Sequence, residues 1–157
     1  MDSVRQWVLL VYRLPREPST PRSTLWRTLR RLGALQLLDG LVGLPLDSRN
    51  RERLEWLADE VVEAGGESSI WIAEPATAAQ ERELVNRLSQ AAAAEYQAVI
   101  AEARVAALDD EAHRLRTLTR LRRELRRIAD RDYFPPPERN EAREAVEALA
   151  MSTEVTP

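Results

Sequence analysis

The sequence predicts an α+β protein in which a small mixed domain is followed by an all-helical region. Two observations support this fold class. Up to residue 75, short apolar runs bounded by turn residues alternate with amphipathic stretches, whereas from residue 76 only the helical spacing of apolar residues continues. We therefore predict a mixed domain over 6–75, a helical domain over 76–150 and a disordered tail over 151–157.

The first strand and the first helix are delimited by proline and glycine. The apolar run over 7–14, rich in Val, Leu and Tyr, ends before Pro15 and is too short for a helix. Thr20 then offers an N-cap with Pro21 at the first helical position, and Gly33 can supply a left-handed stop. These signals predict strand one followed by helix one.

A hairpin and a second helix with its strand complete the mixed domain. Asp39-Gly40 joins the apolar runs 34–38 and 41–46 and accepts the positive φ angles of a tight primed turn. The next helix ends at a glycine pair and has apolar residues along one side, namely Leu54, Leu57, Ala58 and Val61. A last strand is predicted over 68–73. With right-handed crossovers, this βαββαβ order gives a four-stranded antiparallel sheet with both helices on one face, the ferredoxin-like arrangement.

The helical domain is predicted to form a long helical hairpin plus a short last helix. Thr77 and Gln80 match a capping box at its start. An apolar stripe at helical spacing continues to the aspartate pair 109–110, which can cap the next helix. The prolines over 135–137 end that helix, and the last helix is predicted over 138–150.

The composition excludes several classes of site. The chain contains no Cys and no Lys, and His113 is its single histidine. These facts exclude disulfides, thiolate metal sites and the lysine-containing phosphate loop, and we expect no metal, no cofactor and no enzymatic activity. No stretch is long and apolar enough to span a membrane, and residues 1–16 lack the pattern of a signal peptide, so we expect a cytoplasmic protein without membrane contact.

Arginine is concentrated in two segments of a chain whose net charge is −3. Residues 1–33 hold seven Arg and two acidic residues, and residues 113–131 hold eight Arg and two acidic residues. Because a helix advances about 100° per residue, most arginines of the second segment fall on a ridge opposite its apolar side. The ridge consists of Arg116, Arg120, Arg123, Arg127 and Arg131, with Arg122 and Arg126 flanking it. Helix one carries a smaller outward group, Arg27, Arg30 and Arg31.

Two interpretations of these arginines remain open. Like charges at i,i+4 repel, and phosphates lying along the helices would relieve that repulsion, so both groups are candidate contacts to a polyanion such as DNA. Alternatively, the arginines form a solvated face or pair with Glu95 and Glu102 of the preceding helix. No helix-turn-helix signature or other base-reading motif is visible, so the predicted contacts are to phosphates.

The large aromatic residues are expected to serve the fold. Trp26 could stack on a base, but it lies beside the apolar stripe of helix one and is assigned to the core. Tyr133 and Phe134 are expected to form an apolar plug that folds the last helix back. The remaining tryptophans are assigned to the core or to a subunit contact, namely Trp7, Trp56 and Trp71.

Six segments between about Gln6 and Leu149 carry a family resemblance. They are WVLLVYRLP, PRSTLWRTLRRLGA, LLDGLVGLP, EWLADEVVEAGGE, IWIAEP and RRIADRDYFPPP. Together they resemble the amino-terminal domain of the ChrB family of chromate-resistance regulators. The first part alone also resembles the ferredoxin-like domain of PaaX-type repressors and of small CRISPR-associated nuclease-fold proteins, which lack the Arg-rich helix and RDYFPPP.

The resemblance implies a DNA-associated transcriptional regulator of a chromate efflux operon that works as a homodimer. Many members continue into a second domain thought to sense chromate, and this chain ends before one. Chromate, or a companion protein that senses it, is therefore a candidate partner beside DNA. The nuclease relatives hold metal with an acidic residue at the end of strand one, where this chain has Val11, Tyr12 and Arg13, so nuclease activity is not expected.

The alternative function is a protein-interaction or oxyanion-binding module without direct DNA contact. Arginine forks suit tetrahedral oxyanions such as chromate or sulfate. DNA binding should weaken steeply with salt because several counterions are released, whereas a single small-anion site should show a shallow salt dependence.

Overall fold

The mixed domain follows the predicted βαββαβ order in a computed structural model that describes residues 5–154. Its elements are β1 (Trp7–Arg13), α1 (Thr20–Leu32), β2 (Leu35–Leu38), β3 (Leu41–Pro45), α2 (Ser48–Glu63) and β4 (Glu67–Ala73). The strands form one antiparallel sheet in the order β2-β3-β1-β4. This is the strand order of the ferredoxin-like arrangement, and the predicted α+β fold class is confirmed.

One face of the sheet carries the core of the mixed domain. Val8 and Leu10 of the central strand β1 are fully buried, and they share a face because alternate residues of a strand point the same way. Their partners on β3, Leu44 and Val42, are buried with them. α2 contacts both β1 and β4 and buries the predicted apolar side, Leu54, Leu57, Ala58 and Val61.

Glycine ends α1 and reverses the hairpin. Gly33 has a φ of 73° and its N–H donates to the Arg30 carbonyl at 3.1 Å, so the predicted left-handed stop is confirmed. Gly40 has a φ of 76°, but no non-glycine residue among those described has a positive φ. The predicted primed turn is therefore wrong, because it would require a positive φ at Asp39 as well. The Tyr12 N–H donates to the Gly40 carbonyl at 2.8 Å, which ties this turn to β1.

Three helices follow the sheet, namely α3 (Ala78–Ala106), α4 (Glu111–Asp130) and α5 (Glu138–Glu154). The chain divides into two compact units between Val85 and Asn86, inside α3, whereas the sequence placed the boundary at 75–76. α5 continues past residue 150, so the tail predicted over 151–157 is corrected to helix for 151–154. Residues 155–157 lie outside the described residues.

Side-chain caps fix two of these helix starts. The Thr77 hydroxyl accepts from the Gln80 backbone N–H at 3.1 Å, as predicted for the start of α3. The Asp110 carboxylate accepts from the His113 backbone N–H at 2.9 Å, and this hydrogen bond lowers the pKa of Asp110. Among residues 5–154, no helix combines the length and apolar character that a membrane crossing requires.

The second unit has a core to which all three helices contribute. Its buried residues include Tyr96, Val99 and Ile100 of α3, Leu118, Leu121 and Ile128 of α4, and Ala142, Val146 and Leu149 of α5. α3 and α4 run antiparallel, because Arg120 pairs with Glu102 while Arg131, further along α4, pairs with the earlier Glu95. Tyr133 is half-buried in the turn before α5, and the plug role stays a prediction.

The tryptophans divide between the core and the surface. Trp7 is 2% exposed, so its assignment to the core is confirmed. Trp56 on α2 and Trp71 on β4 are 68% and 59% exposed, so their assignment to the core is wrong. Trp71 lies on an edge strand and Trp56 points away from the buried side of its helix. A subunit contact remains a prediction for both.

Candidate nucleic-acid interface

The surface of α1 is basic and contains no opposing charge of its own. The helix, with sequence TPRSTLWRTLRRL, has no acidic residue. Arg27, Arg30 and Arg31 are all exposed. Their contacts are weak and lie within the helix: the Arg27 Nε donates to the Ser23 carbonyl at 3.4 Å, and the Arg31 Nη2 donates to the Thr28 hydroxyl at 3.5 Å. These groups keep most of their capacity for phosphate.

In the described part of the chain, no carboxylate forms an ion pair with these arginines. Within residues 5–154, none of the guanidinium groups of Arg27, Arg30 and Arg31 lies within 4.0 Å of a carboxylate oxygen. Arg22, one turn earlier, is also exposed and donates to the Arg16 carbonyl at 2.7 Å. Arg22 was not among the DNA contacts predicted from the sequence. The absence of acidic residues along α1 is the sequence feature that would have pointed to it.

Trp26 belongs to this surface and not to the core. It is 45% exposed, and the Arg30 guanidinium lies over its ring at 6.0 Å from the centroid, a cation–π distance. The predicted core position of Trp26 is therefore wrong. The cause is helical geometry, because Leu25 and Leu29 point into the core and Trp26 lies about 100° further round the axis from Leu25.

Among the described residues, four of the seven ridge and flank arginines pair with carboxylates. Arg120 is hydrogen-bonded to Glu102 of α3. The Arg122 guanidinium lies 3.6 Å from the Glu147 carboxylate of α5. The Arg127 guanidinium lies 3.4 Å from the carboxylate of Glu124, which is one turn earlier in α4. These three pairs are substantially exposed, so each contributes at most about 1 kcal/mol to stability.

Arg131 has a structural position. Its side chain is only 19% exposed and binds Glu95 of α3 through both Nε and Nη2, with Glu124 at 4.0 Å. The hydrogen bond to Glu95 is the main cause that raises the pKa of Arg131. The alternative interpretation, pairing with the acidic helix, therefore holds for Arg131 with Glu95 and for Arg120 with Glu102.

The neighbouring residues extend this contact into a clamp between α3 and the segment after α4. The Tyr96 hydroxyl donates to the Asp132 carboxylate at 2.9 Å, and Tyr96 is almost completely buried. Burial, followed by this hydrogen bond, raises the pKa of Tyr96 to about 12. Two consecutive residues of RDYFPPP, Arg131 and Asp132, thus hold two consecutive residues of α3, Glu95 and Tyr96. We call this group the 95/96–131/132 clamp.

Three ridge or flank arginines remain available to a partner. Arg116 lies with its Nη2 3.4 Å from the His113 Nδ1, and it is exposed. Arg123 and Arg126 are exposed and form no ion pair within the part of the chain that is described. The helical wheel placed all of these residues outward correctly, but it could not distinguish them from the paired arginines.

Within residues 5–154, His113 and the aspartate pair 109–110 lie at the start of α4. In that range no group of three His, Asp or Glu residues could hold a metal ion. The His113 Nε2 lies 3.7 Å from Asp109 on an exposed helix start, and Asp110 caps that helix. These contacts account for the aspartate pair as a helix start.

Comparisons with known proteins identify the family. The family described as "Protein ChrB, N-terminal" matches residues 22–155. Protein ChrB of Cupriavidus metallidurans is 35% identical over 133 residues, which make up 82% of this chain and 40% of that relative. The chain thus spans less than half the length of that relative. No solved structure matches the chain significantly. The chain belongs to the ChrB N-terminal family, because the match covers most of its length and extends over parts of both compact units.

Proposed function

We propose that this chain is a DNA-associated transcriptional regulator of chromate-resistance genes and that it has no enzymatic activity. Membership of the ChrB family supports the connection with chromate resistance. Because the chain spans 40% of the Cupriavidus metallidurans relative, the regulatory role of a whole ChrB protein is carried over here as part of the proposal.

The observation that carries the proposal is the unneutralised basic surface of α1. Arg27, Arg30 and Arg31 project from one helix, are exposed and have no carboxylate within 4.0 Å among residues 5–154. Each arginine that neutralises a phosphate releases condensed counterions, which is the main source of sequence-independent affinity for DNA. Exposed hydroxyl groups of Ser23 and Thr24 on the same helix add hydrogen-bond donors for phosphate oxygens.

The second contact surface in this proposal is the unpaired part of α4. Arg116, Arg123 and Arg126 add cations that no described carboxylate neutralises. The paired Arg120, Arg122 and Arg127 would have to exchange a carboxylate for a phosphate, so each would add less to the affinity. We do not include Arg131 in the proposed contact surface, because its guanidinium already donates two hydrogen bonds to Glu95.

Fluorescence anisotropy of a labelled duplex from upstream of the gene tests the proposal. The protein is titrated over several salt concentrations, with and without chromate, against a scrambled duplex of the same length. We expect affinity that falls steeply with salt, and preference for the upstream duplex would support regulation. Absence of binding at low salt would refute the proposal. Thermal stabilisation by chromate combined with a shallow salt dependence would instead identify a small-anion site.

A further inference from the structure

The strand β4 is an open edge of the sheet. The order β2-β3-β1-β4 leaves β2 and β4 at the two edges. β4 pairs with β1 over its full length, from Trp7 opposite Ala73 to Arg13 opposite Glu67. Among residues 5–154, the backbone of β4 makes no backbone hydrogen bond outside this ladder. Its outward N–H and C=O groups are therefore available to another strand.

The two edges differ in how well they are protected against pairing. β2 has four residues, and its register with β3 shifts between Gln36 and Leu38. Such an irregularity bends an edge and hinders the addition of another strand. β4 has seven residues in an uninterrupted register, and its sequence ESSIWIA contains no Lys, Pro or Gly. β4 therefore has neither a bulge nor a proline to hinder edge-to-edge pairing, and its one charged residue, Glu67, lies at its first position.

β4 exposes large apolar side chains on both faces of the sheet. Trp71 is 59% exposed on one face, and Ile72 is 41% exposed on the other. Ile70 is half-buried on the same face as Ile72. The Trp71 indole donates to the Ser69 hydroxyl at 2.9 Å, so its polar atom is already bonded while its ring stays uncovered. Covering these groups would remove the apolar surface of residues 70–72 from water.

We propose that the β4 strands of two copies of this chain pair antiparallel about a twofold axis at Ile70, which joins the two sheets into one sheet of eight strands. The sequence of β4 is complementary to itself in this register. Ile70 faces Ile70 of the second copy, Ser69 faces Trp71, Ser68 faces Ile72, and Glu67 faces Ala73.

The charges and the aromatic rings both favour this pairing. Glu67 is not placed opposite another acid, and it keeps its ion pair with Arg13 at 2.8 Å within its own sheet. The two Trp71 rings are diagonal neighbours across the seam, a spacing of roughly 7–8 Å that aromatic side chains can bridge. Like-charge opposition, which would exclude a second copy, is absent from the seven residues of β4 in this register.

Analytical ultracentrifugation over a range of protein concentrations tests this interface in the absence of DNA. Wild-type protein should shift from monomer to dimer as the concentration rises. Trp71→Lys puts two cations diagonally across the seam and should weaken the dimer by about tenfold or more. Trp56→Lys removes an equally exposed tryptophan from α2 and should dimerise like the wild type. Thermal melts establish that both variants are folded.

Disulfide crosslinking tests the proposed register between the two β4 strands. The chain has no cysteine, so Ile70→Cys introduces a single thiol on the proposed axis and should form a covalent dimer on mild oxidation. Val62→Cys, exposed on α2, is the matched control and should crosslink far less. A chain that stays monomeric at all concentrations, a dimer unaffected by Trp71→Lys, or a dimer that Ile70→Cys fails to crosslink would each overturn the proposal. Because no DNA is present, these outcomes are independent of the proposed regulatory function.

Discussion

The arginines of α1 and those of α4 look equivalent on a helical wheel but have different surroundings. α1 has no acidic residue, and within residues 5–154 its outward arginines contact only backbone, a hydroxyl and an indole ring. On α4, Arg120, Arg127 and Arg131 each bind a glutamate. Two of these pairs, at Arg120 and Arg131, join α4 to α3. The shorter group on α1 has no carboxylate within 4.0 Å among residues 5–154. The number of arginines on a helix face says less about the unpaired charge of that face than the number of carboxylates within reach.

The largest expected effect comes from removing the α1 cations. The triple variant Arg27→Gln, Arg30→Gln, Arg31→Gln should weaken DNA binding by about 100-fold at ~0.1 M salt and reduce the slope of log affinity against log salt by roughly 2.7, because three phosphate contacts are lost. Anisotropy titrations measure both quantities. The control is a triple variant of the paired arginines of α4, with Gln at Arg120, Arg122 and Arg127, which should change affinity much less. Equal effects of the two triple variants would break the distinction between the helices.

The next effect concerns stability and not binding. Arg131→Gln leaves the partly buried Glu95 carboxylate without the guanidinium that binds it. The free energy of unfolding should fall by about 2 kcal/mol, which lies between the costs of breaking an exposed and a buried ion pair. Urea denaturation measures this change. DNA affinity of the folded variant should equal that of the wild type. Arg123→Gln, on an exposed and unpaired arginine of the same helix, should leave stability within about 0.5 kcal/mol of the wild type.

Tyr96 gives a smaller and pH-dependent effect. Tyr96→Phe removes the hydrogen bond to Asp132 and should cost about 1.5 kcal/mol at neutral pH. Because the pKa of Tyr96 is about 12 in the folded protein and about 10 in an unfolded chain, its contribution is complete below pH ~10 and is lost as the pH rises towards ~12. Urea denaturation between about pH 9 and 11.5 should therefore show a shallower decline for Tyr96→Phe than for the wild type. An identical decline would contradict a raised pKa at this residue.

The smallest expected effect on DNA affinity comes from releasing one paired arginine of α4. Glu102→Gln removes the carboxylate that binds Arg120 and should strengthen DNA binding by about two- to threefold at low salt, since an exposed pair is worth less than 1 kcal/mol. Glu55→Gln, which removes the partner of Arg51 on α2, is the matched control and should leave affinity unchanged. A decrease with Glu102→Gln would indicate that the pair orients Arg120 for DNA and does not mask it.

Most of the fold could be predicted because local signals and the global topology agree. Pro15, Gly33 and Asp110 mark element ends where the structure has them, and the sheet order follows from the handedness of the crossovers. The hairpin turn was predicted with the wrong conformation, since the close contact between Tyr12 and Gly40 selects a turn that the dipeptide alone does not specify. The end of the last helix was also placed too early, because no proline or glycine stops it at 150.

The site was less predictable, because pairing depends on the register between helices. A wheel of α4 shows that Arg131 points away from Leu118, but not that α3 brings Glu95 to it. The 95/96–131/132 clamp joins residues 36 positions apart in sequence, so no periodicity within one helix reveals it. Trp26 was misplaced for a related reason: an apolar neighbour in sequence does not share its direction on a helix.

The basic surface of α1 is built from arginine alone, since the chain contains no lysine. Guanidinium groups keep their charge throughout the physiological pH range, so the attraction of this surface for phosphate cannot be adjusted by titrating it. Lysine acetylation, the common way to cancel a cation on a protein, has no substrate here. Control over this surface therefore has to come from covering it or from competing anions, and salt and partner occupancy become its main determinants.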